Sequence, residues 1–277
     1  MDGRIPPRRW CTREERLRIF LLFSIFYFLF SFTVTRAQEW HEMKGEHFFV
    51  YYQQDKKFAN DVLRQSESYY RSIASELGYQ RYSGFWTWEN RVKIYIYPDK
   101  ESFLKVTGQN PWSEGMADYT NKSVISYAWN QNFLEALLPH EITHLIFRDY
   151  VGMDGEIPLW LDEGVAQWME PQKRELLQAA MAKIIVDGKI LSLDGLMRLD
   201  VRQVSDSDLV HTFYVEAASL VGFLIKEYGS SDFINFCRQL RDKKNVREAL
   251  TFAYPTTVRT LEQLEGKWLA YYGGVKK

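Results

Sequence analysis

Five consecutive residues, His140-Glu141-Ile142-Thr143-His144, carry the chemistry of this chain. On an α-helix, positions four apart differ by about forty degrees of rotation, so both imidazoles leave one face, a turn apart, and can share one metal ion. Glu141 lies beside them, where its carboxylate can act as a base toward a metal-activated water. A third ligand is needed, and Glu163 in Trp160-Leu161-Asp162-Glu163-Gly164-Val165-Ala166 can supply it. Two neutral imidazoles and one carboxylate leave Zn2+ with net positive charge and an open position, where bound water ionises near neutral pH. The expected cofactor is therefore one Zn2+ per chain on His140, His144 and Glu163, a donor set that favours zinc over other divalent ions. Leu137, Leu138, Leu145, Ile146 and Phe147 would bury the rest of the helix and leave the histidine pair facing a cleft.

The elements that must position these residues can be read from periodicity and punctuation. His47-Phe48-Phe49-Val50-Tyr51-Tyr52 is a β-rich run, and a helix is expected from about Lys57 to Leu77 with Gly78 closing it. Val92–Tyr97 alternates as a strand and stops at Pro98, and Asp99 can cap a short helix ending near Gly108. Residues 115–119 and 123–127 flank Thr120-Asn121-Lys122 as a hairpin. Beyond residue 130 the pattern is helical: the motif helix to about Tyr150, then Leu159 to about Glu170, Lys173–Val186, Thr212–Tyr228, Asp232–Leu240 and Val258–Tyr271. Gly188 and Gly229 suit helix ends, and Ser207 and Ser231 suit helix starts. The expected fold class is α+β: a small mixed-sheet lobe over residues 38–130 and a helical lobe over 131–277, together one domain with the zinc-site helix between the lobes. Pro139, directly before His140, either starts the motif helix, with 132–137 as a separate turn, or kinks one that begins after Asn132; the helical composition of 133–137 favours the kink.

Residues 1–37 read as a separate leader. Six arginines between positions 4 and 18 precede an unbroken apolar run from Ile19 to Val34, and Thr35-Arg36-Ala37 offers small residues for cleavage after Ala37. The run is short for a bilayer span, which suits a signal peptide; an uncleaved signal anchor is the alternative. Either way the folded part is expected outside the cytoplasm, touching membrane only through residues 19–34 if these are retained. The remainder is mildly acidic, which argues against a nucleic-acid surface. Cys11 lies in the leader, so Cys237 has no intrachain partner in a processed chain and reads as a small buried apolar residue. The cluster Phe85-Trp86-Thr87-Trp88 is read as a loop packed on the core, and His41 and His47 receive no chemical role.

Eighteen residues separate His144 from Glu163, and no third histidine follows at short range. This pattern, with Pro158-Leu159-Trp160-Leu161-Asp162-Glu163-Gly164-Val165-Ala166, resembles the gluzincin zinc metallopeptidases, in particular peptidase MA-like domains. The resemblance implies a zinc peptidase acting on a peptide or protein substrate, with His140, His144 and Glu163 as ligands and Glu141 as general base. It also points to Tyr214, in Phe213-Tyr214-Val215-Glu216, as a donor to the oxyanion; His211, three residues earlier on nearly the same face, is the alternative. Ser123, Val124 and Ile125 resemble the edge strand with which such enzymes pair substrate backbone, though a plain structural edge reads as well. Aminopeptidase relatives carry Gly-x-Met-Glu-Asn here; Gly115-Met116-Ala117-Asp118 lacks that Glu, which favours internal cleavage. The competing reading is a peptidase-like module that keeps the metal but has lost turnover, and the presence of Glu141 argues against it.

Overall fold

Alternating burial builds one mixed sheet from β1 (His41–Lys44), β2 (Phe48–Tyr52), β3 (Val92–Tyr97), β4 (Gly115–Asp118) and β5 (Ser123–Tyr127). The computed structural model describes residues 39–78, 86–111, 113–128, 132–152 and 157–274. Strand order is β1-β2-β3-β5-β4, with β2-β3 and β3-β5 parallel and the two outer pairs antiparallel. Parallel neighbours need a crossover, and α1 (Lys56–Glu76) and α2 (Lys100–Thr107) supply the two. One sheet face, with Phe48, Val50, Val92, Ile94 and Ile96, is buried, and α1 meets the core with Ala59, Val62, Tyr70, Ile73 and Ala74. Asp55 accepts the Phe58 N–H (2.9 Å) at the start of α1, Asp99 caps α2, and Gly78 and Gly108 take positive φ just past the two helices.

The rest is helical: α3 (Leu138–Val151), α4 (Leu159–Trp168), α5 (Pro171–Val186), α6 (Leu193–Arg198), α7 (Ser207–Tyr228), α8 (Ser230–Arg241), α9 (Val246–Ala253) and α10 (Leu261–Gly273). The α+β class holds. The short elements β1, α6 and α9 were not anticipated, because four to eight residues carry too little periodicity to stand out. Asp206, not Ser207, caps α7, and Ser231 lies inside α8. Trp86 is buried with its indole N–H on Asp149 (2.8 Å), whereas Trp88 is exposed; Phe85 lies outside the described residues, as do residues 1–37. Cys237 is buried in α8, and burial pushes its thiol pKa up.

At Pro139 the structure follows the first alternative within one residue, not the kink that composition favours: the α-helix begins at Leu138 after a separate turn, with the proline in its first turn. A π-type turn spans Phe133–Leu137, with the Leu137 N–H bonded to the Asn132 carbonyl five residues back (3.1 Å), and α3 follows from Leu138. The wider turn brings the proline into the first turn of the α-helix, the position where a missing N–H is best tolerated.

Helix α7 is the spine of the helical part. It is long and apolar enough to cross a membrane, but most of that apolar surface is buried inside the protein. Within it Glu216 is fully buried: Oε1 accepts the Leu191 N–H (2.9 Å), and Oε2 has no polar partner among the described residues. Burial, opposed by the Leu191 hydrogen bond and assisted by Glu265, raises its pKa from 4.5 to about 8. The folded state therefore holds a proton that the unfolded chain releases above pH 4.5, so stability declines as pH rises from there to about 8. The slope is about 1.4 kcal/mol per pH unit. Glu216→Gln carries no such proton. Between pH 5 and 8 the wild type should lose about 3 kcal/mol more stability than the variant, a divergence of roughly 6–12 °C in Tm. Parallel melting curves across that range would show the carboxyl ionised in the fold.

Candidate metal centre

Helix α3 presents His140 and His144 one turn apart, and α4 lays Glu163 across them. The two Nε2 atoms are 3.1 Å apart, and Glu163 Oε2 is 3.7 Å from His140 Nε2 and 3.8 Å from His144 Nε2. Tetrahedral zinc with ligands at about 2.0–2.1 Å requires donors about 3.3 Å apart, so the triangle has the size of such a site. The structure thus brings together the three residues that spacing alone had singled out, and their donor atoms could hold one cation.

Each imidazole is fixed from behind. His140 Nδ1 lies 2.9 Å from Oε1 of the buried Glu170, which also accepts from Lys173 Nζ (2.8 Å). His144 Nδ1 lies 3.1 Å from Oδ1 of the buried Asp162, whose other oxygen accepts from Arg148. When the imidazoles are neutral, carboxylates at Nδ1 select the tautomer that carries hydrogen there, which frees both Nε2 atoms to ligate a cation. Burial alone would lower the His144 pKa. The neighbouring Asp162, followed by Glu163 and Glu141, overcomes this and raises it to about 9. Three carboxylates around one imidazole mark a place built for positive charge. Arg148 also lies over the Tyr119 ring at 4.2 Å, and that ring stands edge-on to His144. Sequence reading missed Glu170, Asp162, Arg148 and Tyr119. Of these, only Asp162 gave a hint, as an acid next to an expected ligand in an apolar segment.

Glu141 is half-buried on α3, close enough that its charge acts on His144 and Tyr119. Tyr214 lies on α7, near enough to Glu163 to feel its charge; burial, then that charge, pushes its phenol up to about 12, so it remains a hydrogen-bond donor across the neutral range. His211 and Tyr214 line the same cavity, as their spacing implied.

The expectation for Ser123, Val124 and Ile125 needs correction. β5 is an inner strand: Val124 pairs with Ile94 of β3 on one side and with Ala117 of β4 on the other, and Ser123 and Val124 are buried. Its backbone groups are spent on the two ladders. The outer strand beside β5 is β4, whose residues Gly115–Asp118 are all half-exposed and which leads directly into Tyr119.

No curated protein matches this chain. A family model described as the peptidase MA superfamily matches residues 83–272, from just before β3 into α10. Its members are typically zinc-dependent peptidases, which agrees with the donor triangle between α3 and α4. With well over half its length inside that match, and the triangle within the matched span, the chain belongs to the peptidase MA superfamily.

Proposed function

We propose that this protein is a zinc-dependent endopeptidase that works outside the cytoplasm on extended stretches of protein substrates. The observation that carries the proposal is the triangle of His140 Nε2, His144 Nε2 and Glu163 Oε2, with edges of 3.1–3.8 Å and a carboxylate behind each imidazole. That donor set fits zinc, which when bound supplies Lewis acidity toward water and the scissile carbonyl.

The remaining work falls to side chains of this chain. Glu141 takes the proton of the attacking water and delivers it to the leaving amine. Tyr214, protonated at working pH, donates to the carbonyl oxygen as negative charge grows on it. The open edge of β4 offers backbone donors and acceptors with which an extended substrate can pair, a mode that tolerates many sequences. On that edge Ala117 carries no carboxylate to hold a free amino terminus and the carboxylate of Asp118 is taken up by Asn121 (2.8 Å), which supports cutting within a chain. The arginine-rich start and the apolar run Ile19–Val34 support export or anchoring.

Purified protein should contain close to one zinc per chain and should cut an unfolded protein. A chelator should abolish the cutting, and added zinc should restore it. Hydrolysis that survives complete removal of metal would overturn the proposal.

A further inference from the structure

Helix α9, the start of α10 and the segment between them put positive charge on an acidic body. Residues 38–277 hold 28 basic and 33 acidic side chains, yet seven basic and only four acidic ones fall between Arg238 and Lys267. Three of those acids are engaged locally. Asp242 pairs with Arg241 (3.4 Å), Glu248 accepts the Asn245 N–H (3.2 Å) in the capping box of α9, and Glu265 accepts the Leu193 N–H (3.1 Å). The fourth, Glu262, lies in the first turn of α10, where the helix dipole favours it. Arg247, Arg259 and Lys267 are exposed and enter no ion pair among the described residues. We propose that this face docks on a membrane surface of anionic phospholipid, with the cations on headgroup phosphates and the Phe252 ring in the layer beneath them. The inference is independent of the metal centre and of what the protein cuts.

Phe252 is 56% exposed, while Ala249, Leu250 and Ala253 of the same helix are buried. Lys244 donates to Gln239 and lies over the Phe252 ring, 4.3 Å from its centre. Two clefts flank the segment between the helices. One, of about 900 Å³, is lined by Lys244, Arg247, Glu248, Thr251, Phe252 and Pro255. The other, of about 480 Å³, is lined by Thr256, Thr257, Arg259, Gln263, Gly266 and Lys267, so hydroxyls and cations meet there as a phosphate requires. A single exposed ring among cations matches a bilayer boundary, where apolar chains begin about 5–10 Å below a layer of phosphates. An acidic protein partner would need a broad, well-packed apolar contact at its centre, which one ring does not provide. An anionic surface repels the rest of the acidic body, so the same field that attracts this face also sets the orientation.

The core draws only on residues from Phe48 to Tyr272, and Trp40–Lys277 is a compact unit of its own, so residues 38–277 can be tested without the arginine-rich leader. They should partition onto vesicles of mixed phosphatidylglycerol and phosphatidylcholine at least about 50-fold more strongly than onto phosphatidylcholine alone. Salt at about 1 M should remove the difference. Each cation at such a surface is worth about fivefold, so Arg247→Gln with Arg259→Gln should weaken partition about 25-fold. Phe252→Ser, also an exposed change, should weaken it severalfold. Phe252→Cys offers a second readout, because Cys237 is buried and only the new thiol takes a dye. A polarity-sensitive dye there should shift to shorter wavelength on anionic vesicles, and the same dye at Lys57→Cys on α1 should not. Equal partition onto both kinds of vesicle, partition unchanged in the double variant, or a dye shift at residue 57 alone overturns the inference. So does binding to polyglutamate that matches binding to anionic vesicles, which would make the face a site for acidic protein. The double variant should still cut an unfolded protein in solution at the wild-type rate, so this inference and the peptidase reading fail separately.

Discussion

Glu141→Gln should keep close to one zinc per chain and lose hydrolysis by about 10²–10⁴-fold, the usual weight of a single well-placed general base. The substitution is nearly isosteric and leaves both histidines, Glu163 and the carboxylates behind the imidazoles untouched. What it removes is a group that can accept a proton at neutral pH, since an amide cannot. Glu141 also belongs to the negative field that favours a cation at His144, so metal affinity should weaken slightly rather than improve. The measurement is therefore paired: zinc by atomic absorption and initial rates on an unfolded protein, from the same preparation. Unchanged hydrolysis with bound zinc would remove Glu141 from the mechanism. Loss of both zinc and hydrolysis would move its role from proton transfer to holding the metal.

The parts of this site that could be read from sequence are those fixed inside one helix. His140, Glu141 and His144 owe their relation to helical repeat alone, so four letters of spacing predict their geometry. Glu163 could be found because its eighteen-residue spacing from His144 resembles that of gluzincins; an acid in an apolar segment alone would have pointed equally to Asp162. Glu170 could not, because its contact with His140 depends on where α4 ends and how α5 leaves it, and no local pattern encodes that turn. The same limit explains the strand error. Whether β4 or β5 forms the edge is decided by which of them reaches β3, a long-range choice that leaves Val124 buried and Gly115–Asp118 half-exposed. The chemical consequence of Pro139 was legible, in that an α-helical hydrogen bond had to be missing. The form it took, a π-type turn over Phe133–Leu137, was not legible, since such turns carry no sequence period of their own.

Gly164→Ala is expected to release the metal although residue 164 touches no ligand. A methyl group at this position would lie 2.6 Å from the Ala217 carbonyl oxygen and 2.8 Å from its carbon. Both are backbone atoms of α7, so no rotamer change relieves the contact, and α4 must move away from α7. Glu163 precedes Gly164 on α4 and must move with it, while His140 and His144 stay on α3. A shift of about an ångström is enough to spoil a triangle whose edges are 3.1–3.8 Å. Overpacking of this kind costs about 1–3 kcal/mol, which corresponds to a Tm lower by roughly 2–12 °C in a domain of this size. Glu163→Ala removes the same ligand without moving the helix, and should weaken zinc by more than about 100-fold, exceeding the loss expected from an outer-shell substitution. The two variants should therefore agree in zinc lost and differ in fold stability, with Glu163→Ala melting near the metal-free wild type and Gly164→Ala clearly below it. Full zinc retention in Glu163→Ala would show that a different group completes the site. Retention in Gly164→Ala alone would show that α4 can shift without carrying Glu163 away from the histidines.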